Sequence, residues 1–243
     1  INDPFAWAEK CVNEYQAQLL CLKMQGTHPD FGNKGAQEAA KFISTLLSKV
    51  KIPLVIIGSG DDAKDNLIMP DCSQAAKGER CLIGCAVQDN YKTLVAAALA
   101  DGHSIIAESP IDINIAKQLN ILISDMGLPL ERIVINPTIG ALGYGLEYAY
   151  SIMERARLAA LAGDKTVASP FICFVGQEAW RAKEAKASAS EFPEWGPEAE
   201  RGVAWEAVTA VTLLQAGADI LVMRHPQAVE KVKNYINNLF TSE

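Results

Sequence analysis

The chain has 243 residues, 49% apolar and 21% charged, with 22 basic against 29 acidic side chains for a formal charge of −7. That composition supports a large packed core and excludes a disordered chain, and the acidic balance argues against nucleic acid, whose phosphates need clustered cations. No apolar run approaches the ~18–20 residues of a membrane span, and no basic stretch followed by an apolar one opens the sequence as a signal peptide would, so a cytoplasmic protein is expected.

The first expected element is a helix. Asp3 is placed as its N-cap and Pro4 as its first residue, with Trp7, Cys11 and Tyr15 on one face. Strand-like runs then recur at about Leu19–Met24, Pro53–Ile57, Cys81–Val87, His103–Ala107, Arg132–Ile135, Phe171–Val175 and Asp219–Met223. Their near-continuous apolar character suits parallel strands covered on both faces. Amphipathic helices alternate with them. One carries the stripe Ala36, Ala39, Ala40, Ile43, Leu46 and Leu47. Another carries Val203, Ala204, Ala207, Val208, Val211 and Leu214, and a last one Val229, Val232, Ile236 and Leu239. Gly163 and Gly217 stand where the helices Leu146–Leu161 and Val203–Leu214 should end.

A helix followed by seven βα units predicts an α/β fold. It reads as a TIM (β/α)8 barrel that lacks its first strand, with residues 1–243 forming a single barrel domain. A doubly wound open sheet is the alternative, but no G-x-G-x-x-G follows an early strand. One connection breaks the rhythm: Gly176–Gly202 holds Trp180, Trp195 and two Pro-Glu steps. So long a loop is either a solvated excursion or a lid or docking surface, within which Glu178–Ser188 suits a short helix.

Six cysteines are present, at positions 11, 21, 72, 81, 85 and 173, four of them in or beside strand-like runs. Buried free thiols in a reducing compartment explain them best. Cys81 and Cys85, four apart on a strand, should face one packed layer, and with no second cysteine pair or nearby histidine no metal site is expected.

In a barrel, function gathers at the C-terminal strand ends. Those ends read Gln25, Thr27 and His28; Ser59, Gly60 and Asp61; Gln88, Asp89 and Asn90; Glu108 and Ser109; Asn136 and Thr138; Gln177 and Glu178; Arg224 and His225. Most are neutral hydrogen-bonding groups, and they form neither a Ser-His-Asp order nor a metal-spaced cluster. The turn Gly58-Ser59-Gly60-Asp61 offers backbone N–H groups to a phosphate or amide. His225 is either a general base or, more in keeping with the Pro226 that follows, a packed residue ahead of a helix; His103 opens a strand. Asn136 ends a strand with an amide that donates and accepts but does not titrate, which points to binding over catalysis, with no catalytic residue assigned.

The segment Ile133–Arg155, IVINPTIGALGYGLEYAYSIMER, carries that Asn136 into a glycine turn and a helix. It continues as ARLAAL. With PEWGPEAERGVAWEAVTAVTLLQAGADILVMRHPQAV, DPFAWAEKCV and PLVIIGSGDDAKD, it closely resembles the small (delta) subunit family of the corrinoid iron–sulfur protein, the methyl carrier of the acetyl-CoA decarbonylase/synthase system in the reductive acetyl-CoA (Wood–Ljungdahl) pathway. The resemblance implies a (β/α)8 barrel related to pterin-dependent methyltransferases and a segment bearing the first strand ahead of this sequence. It implies a heterodimer with a large subunit that holds the Fe4S4 cluster and most of the cobalamin site. Transient partners would be a pterin-dependent methyltransferase and acetyl-CoA synthase. The corrinoid would be shared with the large subunit, and this chain alone would bind none. On that reading the chain is a non-catalytic subunit that caps the corrinoid. Ser59, Gly60, Gln88, Asn136 and Thr138 would face it, and Trp180 and Trp195 would help subunit docking. The family commonly reads Asp-Pro-Thr where this chain has Asn136-Pro137-Thr138. The amide lacks the carboxylate expected to meet a pterin edge. A free-standing methyltransferase using methyl-tetrahydrofolate or a methanopterin relative, the alternative, would need Asp61, Asp89 or Glu108 instead.

Overall fold

The computed structural model describes residues 3–241. It divides into two compact units, Ile1–Glu108 with Lys117–Val134, and Ser109–Ala116 with Ile135–Glu243.

The first unit opens with α1 (Pro4–Asn13), capped as expected: the Asp3 carboxylate accepts from Phe5 N–H at 3.0 Å. Strands and helices then alternate: β1 (Leu20–Lys23), α2 (Ala36–Lys49), β2 (Leu54–Ile57), α3 (Asp62–Ala75), β3 (Leu82–Ala86), α4 (Tyr91–Asp101), β4 (Ser104–Glu108) and α5 (Ile113–Asp125). β5 (Ile133–Asn136) completes a five-stranded sheet ordered β1-β2-β3-β4-β5. β1, β2, β3 and β4 pair in parallel, with Leu20 opposite Leu54 and Val55 opposite Leu82. All four residues of β2 are buried, as strands covered on both faces must be. Ile43 and Leu46 of α2, Ile68 and Met69 of α3, and Leu94 and Val95 of α4 pack against Ile56, Ile83 and Ile105.

Opposite β4, the register of β3 shifts between Ile83 and Ala86. The simple alternation expected to carry Cys81 and Cys85 into one layer is therefore interrupted, leaving Cys81 buried and Cys85 half-buried. His103 does more than open β4. Its fully buried ring accepts from Cys81 N–H at 3.1 Å, and the other nitrogen meets the Ser73 carbonyl at 2.9 Å. Those two partners require a neutral imidazole protonated at Nε2. Burial pushes the thiols of Cys21 and Cys72 up to about 12 and that of Cys81 up to about 11. They remain protonated and unreactive at neutral pH.

The second unit takes up the end of β5 and continues with α6 (Leu146–Leu161), β6 (Ile172–Cys173), α7 (Val175–Ala179), α8 (Lys183–Lys186), α9 (Glu198–Ala216), β7 (Ile220–Leu221) and α10 (Pro226–Phe240). β6 and β7 run parallel, and Ile135 bridges to Phe171. Both strands are shorter than their apolar runs suggested; β6 stops at Cys173 because Phe174 already caps α7. Gly217 ends α9 at φ +111° and Gly163 follows α6 at φ +104°, conformations that cost other residues strain. Ile135, Met153, Phe171, Val203, Ala207 and Leu213 form the core. The long connection folds into two short helices, and Trp180 turns inward. Its indole lies against Gly202, where a methyl group would meet the ring at 2.6 Å.

Candidate functional site

Two strand-to-helix turns carry the residues singled out in the sequence. In the first unit, Gly58–Asp61 links β2 to α3. Its backbone donors are already used. Ser59 N–H and Oγ donate to Asp65 Oδ1 at 2.8 and 2.9 Å, and Gly60 N–H donates to Oδ2 at 3.0 Å. Asp65 is buried and sits one helical turn along α3, so the helix supplies the anion for its own N-terminal loop. Gly58 permits this, since a side chain there would meet the Asp65 carboxylate at 2.2 Å. The N–H groups expected to meet a ligand at Ser59 and Gly60 are thus consumed internally.

Asp61 caps α3 by accepting from Lys64 N–H at 2.7 Å. Next to it, burial raises the pKa of Asp62, with the charges of Asp65, Asp89 and Asp61 adding to the effect. Gln88 lies in the turn just after β3, with an exposed side chain. Two residues on, buried Asn90 folds the chain back: its Oδ1 accepts from Val87 N–H at 2.8 Å, and its amide donates to Asp62 at 3.2 Å.

In the second unit the turn after β5 is braced differently. Asn136 is 3% exposed and its Oδ1 accepts from Thr138 N–H at 3.1 Å. That bond holds Thr138 at φ +49°, a left-handed conformation unusual for a β-branched residue. Thr138 Oγ1 accepts from Ile111 N–H and lies 3.1 Å from the Ser109 carbonyl, to which it can donate. Ser109 N–H in turn donates to the Asn136 carbonyl at 2.9 Å. Asn136 and Thr138 are therefore brought together, and both are tied to Ser109–Ile111.

The chain then closes on itself. A side chain at Gly140 would meet the Tyr144 carbonyl at 2.1 Å. Beside this turn lies a recess of about 500 Å³ lined by Ile111, Ile139, Tyr144, Tyr148, Glu178 and Arg181, among others. Tyr144 and Tyr148 are 52% and 60% exposed. Tyr144 is fixed at its hydroxyl, which donates to Glu184 at 2.9 Å and accepts from Lys183 N–H. Arg181 pairs with Glu178 at 2.9 Å on the rim.

Behind the rim sits a carboxylate the sequence reading did not single out. Glu206 is fully buried in α9 and accepts from Trp180 Nε1 at 2.8 Å, Arg224 N–H at 2.5 Å and His225 N–H at 3.1 Å. It thereby ties the long connection to the turn after β7. Its signal in the sequence was an acid on the apolar stripe of Val203, Ala207 and Ala210. Trp180 is thus a structural bracket, stacked on His225 at 5.9 Å, rather than a free docking aromatic. His225 caps α10 by accepting from Gln227 N–H, the role of a packed residue ahead of that helix. Among the described residues no group of three or more His, Cys, Asp and Glu is placed to hold a metal ion, and no helix is long and apolar enough to cross a membrane.

The architecture matches known proteins along nearly its whole length. Dihydropteroate synthase from Stenotrophomonas maltophilia superposes with a TM-score of 0.66 at 16% identity, covering 98% of this chain and 88% of that one. The Yersinia pestis enzyme gives 0.67 at 13% identity, covering 97% and 88%. These are TIM barrels, so the fold is the α/β barrel expected from the strand pattern. The sequence profile of the CO dehydrogenase/acetyl-CoA synthase delta subunit family matches residues 1–241, and the chain belongs to that family. Among similar relatives, the acetyl-CoA decarbonylase/synthase complex subunit delta of Methanothermobacter thermautotrophicus is 40% identical over 244 residues, covering all of this chain and 61% of that protein. Its counterpart from Methanocaldococcus jannaschii is 37% identical over 247 residues, covering 99% and 59%. The chain thus spans about three fifths of the length of these relatives.

Proposed function

We propose that this chain is the barrel part of a delta subunit that pairs with a large, cobalamin- and Fe4S4-bearing subunit and caps the corrinoid during methyl transfer in the reductive acetyl-CoA pathway. The observation that carries the reading is the family match over residues 1–241. The chemistry of the strand ends supports it. Gln88, Asn136 and Thr138 are uncharged and hydrogen-bonding, suited to the amide edge of a corrin and not to proton transfer.

The residues fit that cofactor unequally. Gln88 presents a free-standing exposed amide, and Thr138 is half-buried in a turn held rigid by Asn136. Ser59 and Gly60 serve such a rim through shape, because Asp65 has taken their N–H groups. The corrinoid, when bound, supplies the methyl-carrying metal centre. This chain's part is to position its amide edge and keep water from it. Asn136 acts here as a positioning residue, setting the backbone of Thr138.

The test is size-exclusion chromatography with full visible spectra under anaerobic conditions, of the chain alone and mixed with corrinoid-loaded large subunit. Co-elution with corrin absorbance only in the mixture supports the capping subunit. Methyl transfer from methyl-tetrahydrofolate to free cobalamin by the chain alone would establish the pterin-dependent methyltransferase instead.

A further inference from the structure

Among the described residues, five other than glycine hold a positive φ: Gln16, Asn33, Arg80, Ile111 and Thr138. A β-branched side chain in that region crowds its own backbone most. Only Ile111, at φ +48°, and Thr138, at φ +49°, are of that kind, and they are bonded to each other. The Ile111 N–H is shared by three acceptors: the Ser109 carbonyl at 2.9 Å, the Pro137 carbonyl at 3.1 Å and Thr138 Oγ1 at 3.1 Å. The loop after β4 and the turn after β5 thus lock each other in conformations that their own residues disfavour.

That lock sets the place of one side chain, Ile111. It stands one residue ahead of Asp112, whose carboxylate caps α5 by accepting from Asn114 N–H at 2.7 Å. An apolar residue in that place ordinarily packs back on the fourth residue of the helix. Here that residue, Ala116, is buried, yet Ile111 stays 44% exposed. It lines the recess that also holds Ile139 and Tyr148. Glycine or asparagine would hold the same turn with less strain, so what isoleucine adds is an exposed apolar group. Strained conformations of this kind gather where a fold clamps a ligand.

The rim proposed for capping lacks such a group. Ser59, Gly60, Gln88, Asn136 and Thr138 offer hydrogen-bonding side chains or bare backbone, which orient an amide edge but hold water as readily as they hold a ligand. Keeping water from the cofactor needs an apolar surface. We propose that Ile111 is the residue of this chain that excludes water from the capped corrinoid. The two locked turns hold its side chain out beside Thr138, to meet the apolar part of the corrin ring while Thr138 meets the amide edge. The inference rests on the capping reading and adds to it a named contact.

The experiment uses large subunit loaded with oxidised corrinoid whose metal carries water. Added cyanide displaces that water with no change of oxidation state, and the corrin absorbance reports the rate. The wild-type chain at saturating concentration should slow the exchange. Ile111→Asn, polar but suited to the left-handed turn, should return the rate towards that of the large subunit alone. It should also weaken binding about four- to tenfold, the worth of the exposed part of an isoleucine side chain. Ile111→Leu should keep most of the protection. Ile111→Gly should lose protection as the asparagine variant does, with a melting temperature close to wild type, because relief of strain offsets a freer unfolded chain. Full protection by Ile111→Asn overturns the assignment and leaves the capping reading standing. So does a wild-type chain that co-elutes with the large subunit without slowing the exchange. A marked fall in melting temperature for Ile111→Gly also overturns it, since the side chain would then be serving the fold. A wild-type chain that neither co-elutes nor protects defeats the capping reading, and this inference with it.

Discussion

The turn after β2 and the turn after β5 look alike in sequence: each ends a buried apolar strand in small and polar residues and leads into a helix. They are held by opposite means. Ser59 and Gly60 direct three donors onto one buried carboxylate, Asp65. The Asn136–Gly145 turn contains no acid until Glu147. It is shaped by a side-chain amide, by a threonine in the left-handed region, and by the close approach of Gly140 to the Tyr144 carbonyl. The lesson is that a glycine-punctuated turn is not by itself an anion cradle. A carboxylate one turn along the following helix satisfies the donors before any ligand arrives.

Substitutions at each turn sharpen that contrast. The largest effect is expected at Asp65. Asp65→Ala strands three buried or part-buried donors and should lower unfolding free energy by about 3–4 kcal/mol, read by urea denaturation. An effect below ~1 kcal/mol would show that water replaces the carboxylate and that the turn is open to ligands after all. Next comes Gly140→Ala. Its methyl group meets backbone that has no room to yield, and a loss of about 3 kcal/mol is expected. Gly60→Ala, at φ +98° but with open space around it, should lose only about 1–2 kcal/mol through strain. If the two alanines cost the same, the β5 turn is looser than its geometry implies.

Thr138→Val keeps the shape and removes the hydroxyl that meets Ile111 and Ser109, and a loss of about 1 kcal/mol is expected in the same denaturation experiment. The smallest effect belongs to Asp62. Its pKa is raised in the folded state, so the folded chain holds the proton more tightly and ionisation at higher pH costs stability. Asp62→Asn should therefore raise the melting temperature slightly at pH 7. The gain should fade as pH falls through the raised value, where Asp62 is itself protonated. An unchanged gain at pH 3 would show that the benefit is not electrostatic.

Much of this protein was legible in its sequence. Seven apolar runs between amphipathic stripes dictated parallel strands and covering helices, because period-2 and period-3.6 burial leave different marks on a chain. Asp3, Gly217 and Pro226 announced helix ends through the backbone conformations that only such residues ease. The signature around Asn136, and with it the family, needed no coordinates. Tertiary structure decided what the polar residues do. Asp65 and Glu206 gained their roles from donors up to 26 residues away in sequence, on elements whose approach no local pattern specifies. The same holds for Trp180, drawn inward by Glu206, and for Ile111, tied to Thr138. Burial follows from periodicity along one element, whereas hydrogen-bond partnership depends on which elements meet, and only the folded chain determines that.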